Sequence, residues 1–216
     1  MSGADLPLPV KKDPRYKDHL IEIVDRDDIP LELRDSPVEA LIMCLNFGWP
    51  VPQSSKPQLL VSTCIEFRFS LPMPRMHSYV IRRASGRLVG SEFTVGYCMS
   101  QGVSHVAMIG HNDCGMTRAS QSASKLVDSY VNQGWSRKAA QDFVDRQLSR
   151  YHMKDELSGL EEEYERLRTI FKKLVIAPLF VSLYDSRLYL PKFYVESLSQ
   201  SSYANYNVPD ELIAKL

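Results

Sequence analysis

The sequence predicts a three-layer α/β domain with a mainly parallel central sheet flanked by helices, and three observations carry that prediction. Strand-like and helix-like stretches alternate along most of the chain. The run "VSHVAMIG" at 103–110 is β-branched and almost continuously apolar, as in a strand buried on both faces. A composition of 44% apolar and 24% charged residues over 216 positions supports one sizeable core.

Residues 1–34 are polar with scattered prolines and read as an N-terminal arm containing one short helical turn; residues 35–216 read as a single α/β domain with a C-terminal extension. "DSPVEALIMCLNFG" predicts a helix, with Ser36 as its cap, Pro37 in its first turn, Glu39 completing an S-x-x-E box, and Gly48 and Pro50 as its stop. "PQLLVSTCIEF" and "SYVIRRA" read as strands. "SEFTVGYCMSQG" reads as a helix capped by Ser91 and stopped at Gly102. Cys44 and Cys98, each inside a helix, are expected as core filler. After the strand at 103–110, helices are expected at about 136–152 and 154–172, the charged run "KDELSGLEEEYERLR" of the second facing solvent. "KLVIAPLFVSLYDSRLYLPKFYV" reads as a strand, a turn at Asp185-Ser186 and an edge strand, and the tail is polar and then weakly helical.

The formal net charge is zero, which gives no general electrostatic reason to expect a nucleic acid or an anionic membrane as partner. The run "LVIAPLFV" is far too short for a membrane span, and the first twenty residues show no secretory pattern. Four cysteines in a chain of this size are not a disulfide framework, although two disulfides remain the alternative; a reducing, cytoplasmic setting is expected. Neither G-x-G-x-x-G nor G-x-x-x-x-G-K-[ST] occurs, so nucleotide binding loses its usual support.

Chemistry is expected beyond the carboxyl ends of the strands. Two strand ends carry metal-capable residues: Cys64 at the first, and His111 and Cys114 in "HNDCG" at the third. Each residue alone reads as packing or capping. Together they make a Cys2His set, which suits zinc and leaves a fourth position open. Cys64, Glu66 and Arg68 share one face if the strand continues that far. His77, His105 and His152 form no comparable cluster.

Cys64-x-Glu66-x-Arg68, "VIRRASG" at 80–86 and "GHNDCG" at 110–115 together resemble the β-class carbonic anhydrase pattern of C-x-D-x-R, R-N-A-G and G-H-x-x-C-G, in order and length over roughly residues 36–190. The resemblance implies a Zn2+ cofactor on Cys64, His111 and Cys114, and catalytic roles for Glu66 and Arg68. It implies reversible hydration of CO2 to bicarbonate by a metal-bound hydroxide, with hydrolysis of carbonyl sulfide or carbon disulfide as the related alternative. A zinc-stabilised, non-catalytic scaffold or regulatory protein is the alternative of a different class. It also implies a homo-oligomer, dimer or higher, with N-terminal segments on the partner's surface. Three departures from the pattern stand out: Glu66 replaces aspartate, "RRAS" replaces R-N-A-G, and Phe67 and Phe69 replace smaller residues. Glu66 is expected to pair with Arg68, ligate zinc or pack away, and Arg83 and Ser85 to narrow or recharge the pocket.

Overall fold

The structure is a computed structural model describing residues 7–73 and 76–199. Six strands form one sheet in the order β1-β6-β5-β4-β2-β3, with six α-helices around it among the described residues. The strands are β1 (Leu20–Glu22), β2 (Leu59–Thr63), β3 (Ser78–Arg82), β4 (His105–His111), β5 (Val175–Val181) and β6 (Leu188–Pro191). The helices are α1 (Pro37–Phe47), α2 (Glu92–Ser100), α3 (Ala123–Asn132), α4 (Arg137–Tyr151), α5 (Glu156–Ile170) and α6 (Lys192–Ser199). The result is the expected three-layer α/β domain, with β3, β2, β4 and β5 parallel. The central strands β2 and β4 are buried almost throughout, which is why their sequences run apolar rather than alternating.

Local chemistry sets the ends of α1. Ser36 Oγ accepts from the N–H groups of Val38 and Glu39, and Gly48, at φ 70°, closes the helix with its N–H on the Cys44 carbonyl. Glu39 does not complete the box on Ser36. Its carboxylate accepts from the Asp35 N–H instead and pairs with Arg26. At α2, Ser91 holds the cap position but caps nothing with its side chain, because its hydroxyl is engaged by Arg83. Cys98 is buried in the core as expected, whereas Cys44 is only half-buried.

Three elements differ from the sequence reading. The polar, proline-marked arm is built into the fold over its described part: Val10, Tyr16, Leu20, Ile23, Ile29 and Leu33 join the core, and β1 pairs antiparallel with β6. The expected edge strand β6 is therefore interior to the sheet. It also ends at Pro191, and "KFYV" begins α6, where Tyr164 and Tyr194 meet edge to face. Helix α3 has no counterpart in the sequence reading; it packs on α4 through Val127, Ala140 and Val144, with the rings of Tyr130, Trp135 and Phe143 meeting at tilted and edge-on angles beside them. The reading of the C-terminal tail lies outside the described residues.

Candidate metal centre

Sheet register brings the two strand ends together. Thr63 on β2 lies opposite Ile109 on β4, so the next residues out are Cys64 on one side and Gly110-His111 on the other. The chain passes from β2 to β3 on one side and returns to β4 on the other, the topological switch at which open α/β sheets form their crevice.

Cys64, Glu66 and Arg68 do not lie on a strand. β2 stops at Thr63, because its neighbour β3 turns away after Arg82 into a 3₁₀ turn at Ala84–Gly86. The loop is pinned instead by Arg82, whose guanidinium donates to the carbonyls of Glu66 (3.2 Å) and Phe69 (2.7 Å). Alternation survives in the loop: Cys64 and Glu66 are buried, Ile65 and Phe67 exposed. Gly86, at φ 73°, passes so close that a Cβ there would lie 3.1 Å from the Cys64 nitrogen, so this turn fixes where the cysteine emerges. Ser85 stands at φ 60° where the resembled pattern has glycine.

Cys64, His111 and Cys114 converge. Their ligand atoms lie within 4.8 Å of one another, all three residues are buried, and the two sulfurs are 3.9 Å apart. Two thiolates at about 2.3 Å from a tetrahedral zinc stand about 3.8 Å apart. His111 Nδ1 lies 3.0 Å from the Asn112 carbonyl, an acceptor that requires the proton on Nδ1 and leaves the lone pair on Nε2. Nε2 is itself buried with no hydrogen-bond partner. Two thiols and an orphaned imidazole nitrogen at this spacing fit a zinc ion.

The three side chains also shift one another's ionisation. The Cys114 thiol donates toward Cys64, and with the His111 charge nearby this outweighs burial and pulls Cys64 down to about 5. Cys114 is pushed up by the same hydrogen bond, by burial and by the Cys64 charge. Burial pushes His111 down, but the Cys64 thiolate wins and its pKa is raised. The protons retained here are those a divalent metal would replace.

Glu66 stands beside this cluster and is not part of it. Arg68 Nε and Nη2 each donate to a different Glu66 oxygen at 2.7 Å, and the Arg68 N–H adds a third bond at 2.8 Å. This fork holds the Glu66 carboxyl down at about 2. The extra methylene thus serves the pair with Arg68 rather than reaching the cluster. Arg83 does not recharge this site either, because its guanidinium is taken up by Ser91 and Tyr151. Phe69 is core, and Phe67 is 82% exposed.

Two acidic residues from the expected solvent face of α5 are buried around the centre. Glu156 accepts the Cys114 N–H at 3.0 Å. Glu163, with 0% exposure, accepts the Leu88 N–H at 2.8 Å and pairs with Arg87 and Arg166, tying α5 to the segment after Gly86. A signal for both was present: Glu156, Leu160, Glu163 and Leu167 recur at helical spacing along one buried stripe. Asp113, unassigned between the two ligands of "HNDCG", binds Arg68 Nη1 at 2.8 Å.

No family model matches the chain, and no curated protein matches it by sequence. Solved structures do match. A carbonic anhydrase from Glaciozyma antarctica is 19% identical over 74% of this chain and 98% of its own, with a TM-score of 0.51. The β-carbonic anhydrase isoform I of Trichomonas vaginalis is 21% identical over 74% of this chain and 96% of its own, with a TM-score of 0.52. An apo carbon disulfide hydrolase is 17% identical over 80% of this chain and 94% of its own, with a TM-score of 0.49. At these identities the likeness is one of fold: the chain has a divergent form of the fold seen in β-carbonic anhydrases.

Proposed function

We propose that this protein catalyses the reversible hydration of CO2 to bicarbonate at a zinc ion held by Cys64, His111 and Cys114. The observation that carries the reading is the convergence of two buried thiols and the unpartnered His111 Nε2 beside a carboxylate locked on an arginine. The chemistry zinc supplies when bound is Lewis acidity, which brings the pKa of a water toward neutrality and makes a nucleophile for a small electrophilic carbon. The two thiolates balance the dication, and the Asn112 carbonyl fixes the His111 tautomer. Glu66 Oε1 accepts both the Nε–H and the backbone N–H of Arg68, whereas Oε2 accepts one bond from Nη2 and keeps a further lone pair for a hydrogen bond from the attacking water. Arg68 keeps that carboxylate ionised and oriented. No phosphate or sugar subsite enters the reading; the substrate is small and linear.

A dimer or higher homo-oligomer belongs to the same proposal, supported by large apolar side chains left in solvent: Ile65 and Phe67 beside the centre, and Phe93 and Tyr97 one turn apart on α2. Among the described residues no helix is long and apolar enough to cross a membrane. The test is stopped-flow CO2 hydration by the zinc-loaded full chain, with its mass in solution established by light scattering. Turnover of CO2 by a dimer or larger assembly is expected. Turnover of carbonyl sulfide or carbon disulfide instead would move the reading to a hydrolase, and retained zinc without turnover of any of the three would move it to a scaffold.

A further inference from the structure

Asp113 is drawn into the same constellation from the loop that delivers two of the candidate ligands. Arg68 donates through Nε and Nη2 to Glu66, through Nη1 to Asp113 Oδ2 at 2.8 Å, and through Nη2 to the Asp113 carbonyl at 3.2 Å. The other Asp113 oxygen pairs with Arg118 at 3.2 Å. Asp113 itself sits at φ 55°, a left-handed conformation that costs most side chains and that aspartate and asparagine accept. The guanidinium is therefore held along both edges. Glu66 and Arg68 are two residues apart on one loop and alone would move together; Asp113 fixes the pair to the loop carrying His111 and Cys114.

The need for such an anchor lies in the reach of Glu66. Its Oε2 lies 3.9 Å from His111 Nδ1, on the ring edge turned to the Asn112 carbonyl, so the carboxylate borders the cluster, and its longer side chain, once released from Arg68, can swing toward a cation there. We infer that Asp113 is a positioning residue: by anchoring Arg68 it keeps Glu66 off the metal and the fourth coordination position open. The inference rests on the metal reading of Cys64, His111 and Cys114.

The probe is Co(II), titrated into the metal-free full chain and followed by its absorption. Asp113→Gly removes the carboxylate at a position whose backbone glycine adopts freely. Asp113→Asn retains an acceptor and the tolerance of left-handed backbone, and circular dichroism confirms that each variant is folded. Wild type is expected to show a thiolate-to-cobalt charge-transfer band. Asp113→Gly should keep that band, shift the ligand-field bands as a carboxylate enters, and bind Co(II) about tenfold more tightly, the scale on which outer-shell partners act. Asp113→Asn should shift in the same direction by less, and Glu66→Gln added to Asp113→Gly should restore the wild-type spectrum. A wild-type spectrum and affinity in Asp113→Gly, or a shift that persists without Glu66, overturns the inference and leaves the metal reading standing. Absence of the thiolate band from wild type overturns both.

Discussion

Glu66 is one methylene longer than the aspartate of the pattern it resembles, and that length closes a two-pronged bond to Arg68 rather than reaching into the cysteine and histidine cluster. Its proposed work is orientation, so Glu66→Ala should retain zinc and lose at least about tenfold in CO2 hydration, since small positioning errors cost up to roughly 10²-fold. Stopped-flow rates beside metal analysis check this; wild-type turnover at every pH tested would end the role assigned to Glu66. Residue identity was legible where chemistry narrows the choice. Cys64, His111 and Cys114 stand at the ends of two apolar runs, where a packing role alone needs neither spacing nor partner. Asp113 was not legible, because an acidic residue in a loop reads as solvated until its partner is known; Glu156 falls on a stripe of helical spacing with Leu160, Glu163 and Leu167, but the dense charge around it masks that signal. Here the partners are Arg68, 45 positions from Asp113, and the Cys114 N–H, 42 positions from Glu156.

At the scale of elements, α1 shows how a local signal is right in kind and shifted in detail. Ser36 caps it as read, yet Glu39 turns away to Asp35 N–H and Arg26, because a cation from the docked N-terminal segment competes for the carboxylate. That contact gives the segment a pH dependence. Arg26 holds the Glu39 carboxyl below the usual range, so the folded state binds fewer protons there than the unfolded state. The stabilisation is fully present above the unfolded value of about 4.3 and is lost as pH falls through the lower folded value. Glu39→Gln should therefore have a lower urea midpoint than wild type at pH 6 to 7, and the gap should narrow steadily below about pH 4. A gap that stays constant down to the acid transition would contradict the account. Glu39 lies in the first turn of α1 and is none of the candidate ligands, so both chains in the comparison carry the same ligand set.

For the molecule as a whole, the parallel centre of the sheet was the most legible part, since strands buried on both faces must run apolar. Its antiparallel edge was not. β1 is three residues long, "LIE", too short for periodicity to register, and its membership rests on pairing with β6 across about 170 positions of chain. The same burial that hides β1 turns the expected arm into part of the core through Tyr16, Ile23, Ile29 and Leu33. What the centre of the sheet achieves is the meeting of Cys64 with His111 and Cys114, and the account depends on that meeting being a metal centre. The most direct measurement is elemental analysis of the purified full chain and of Cys114→Ser, side by side. About one zinc per wild-type chain, mostly lost in the variant, is the result a three-ligand site predicts; a metal-free wild type, or a variant holding stoichiometric zinc with undiminished affinity, would contradict it.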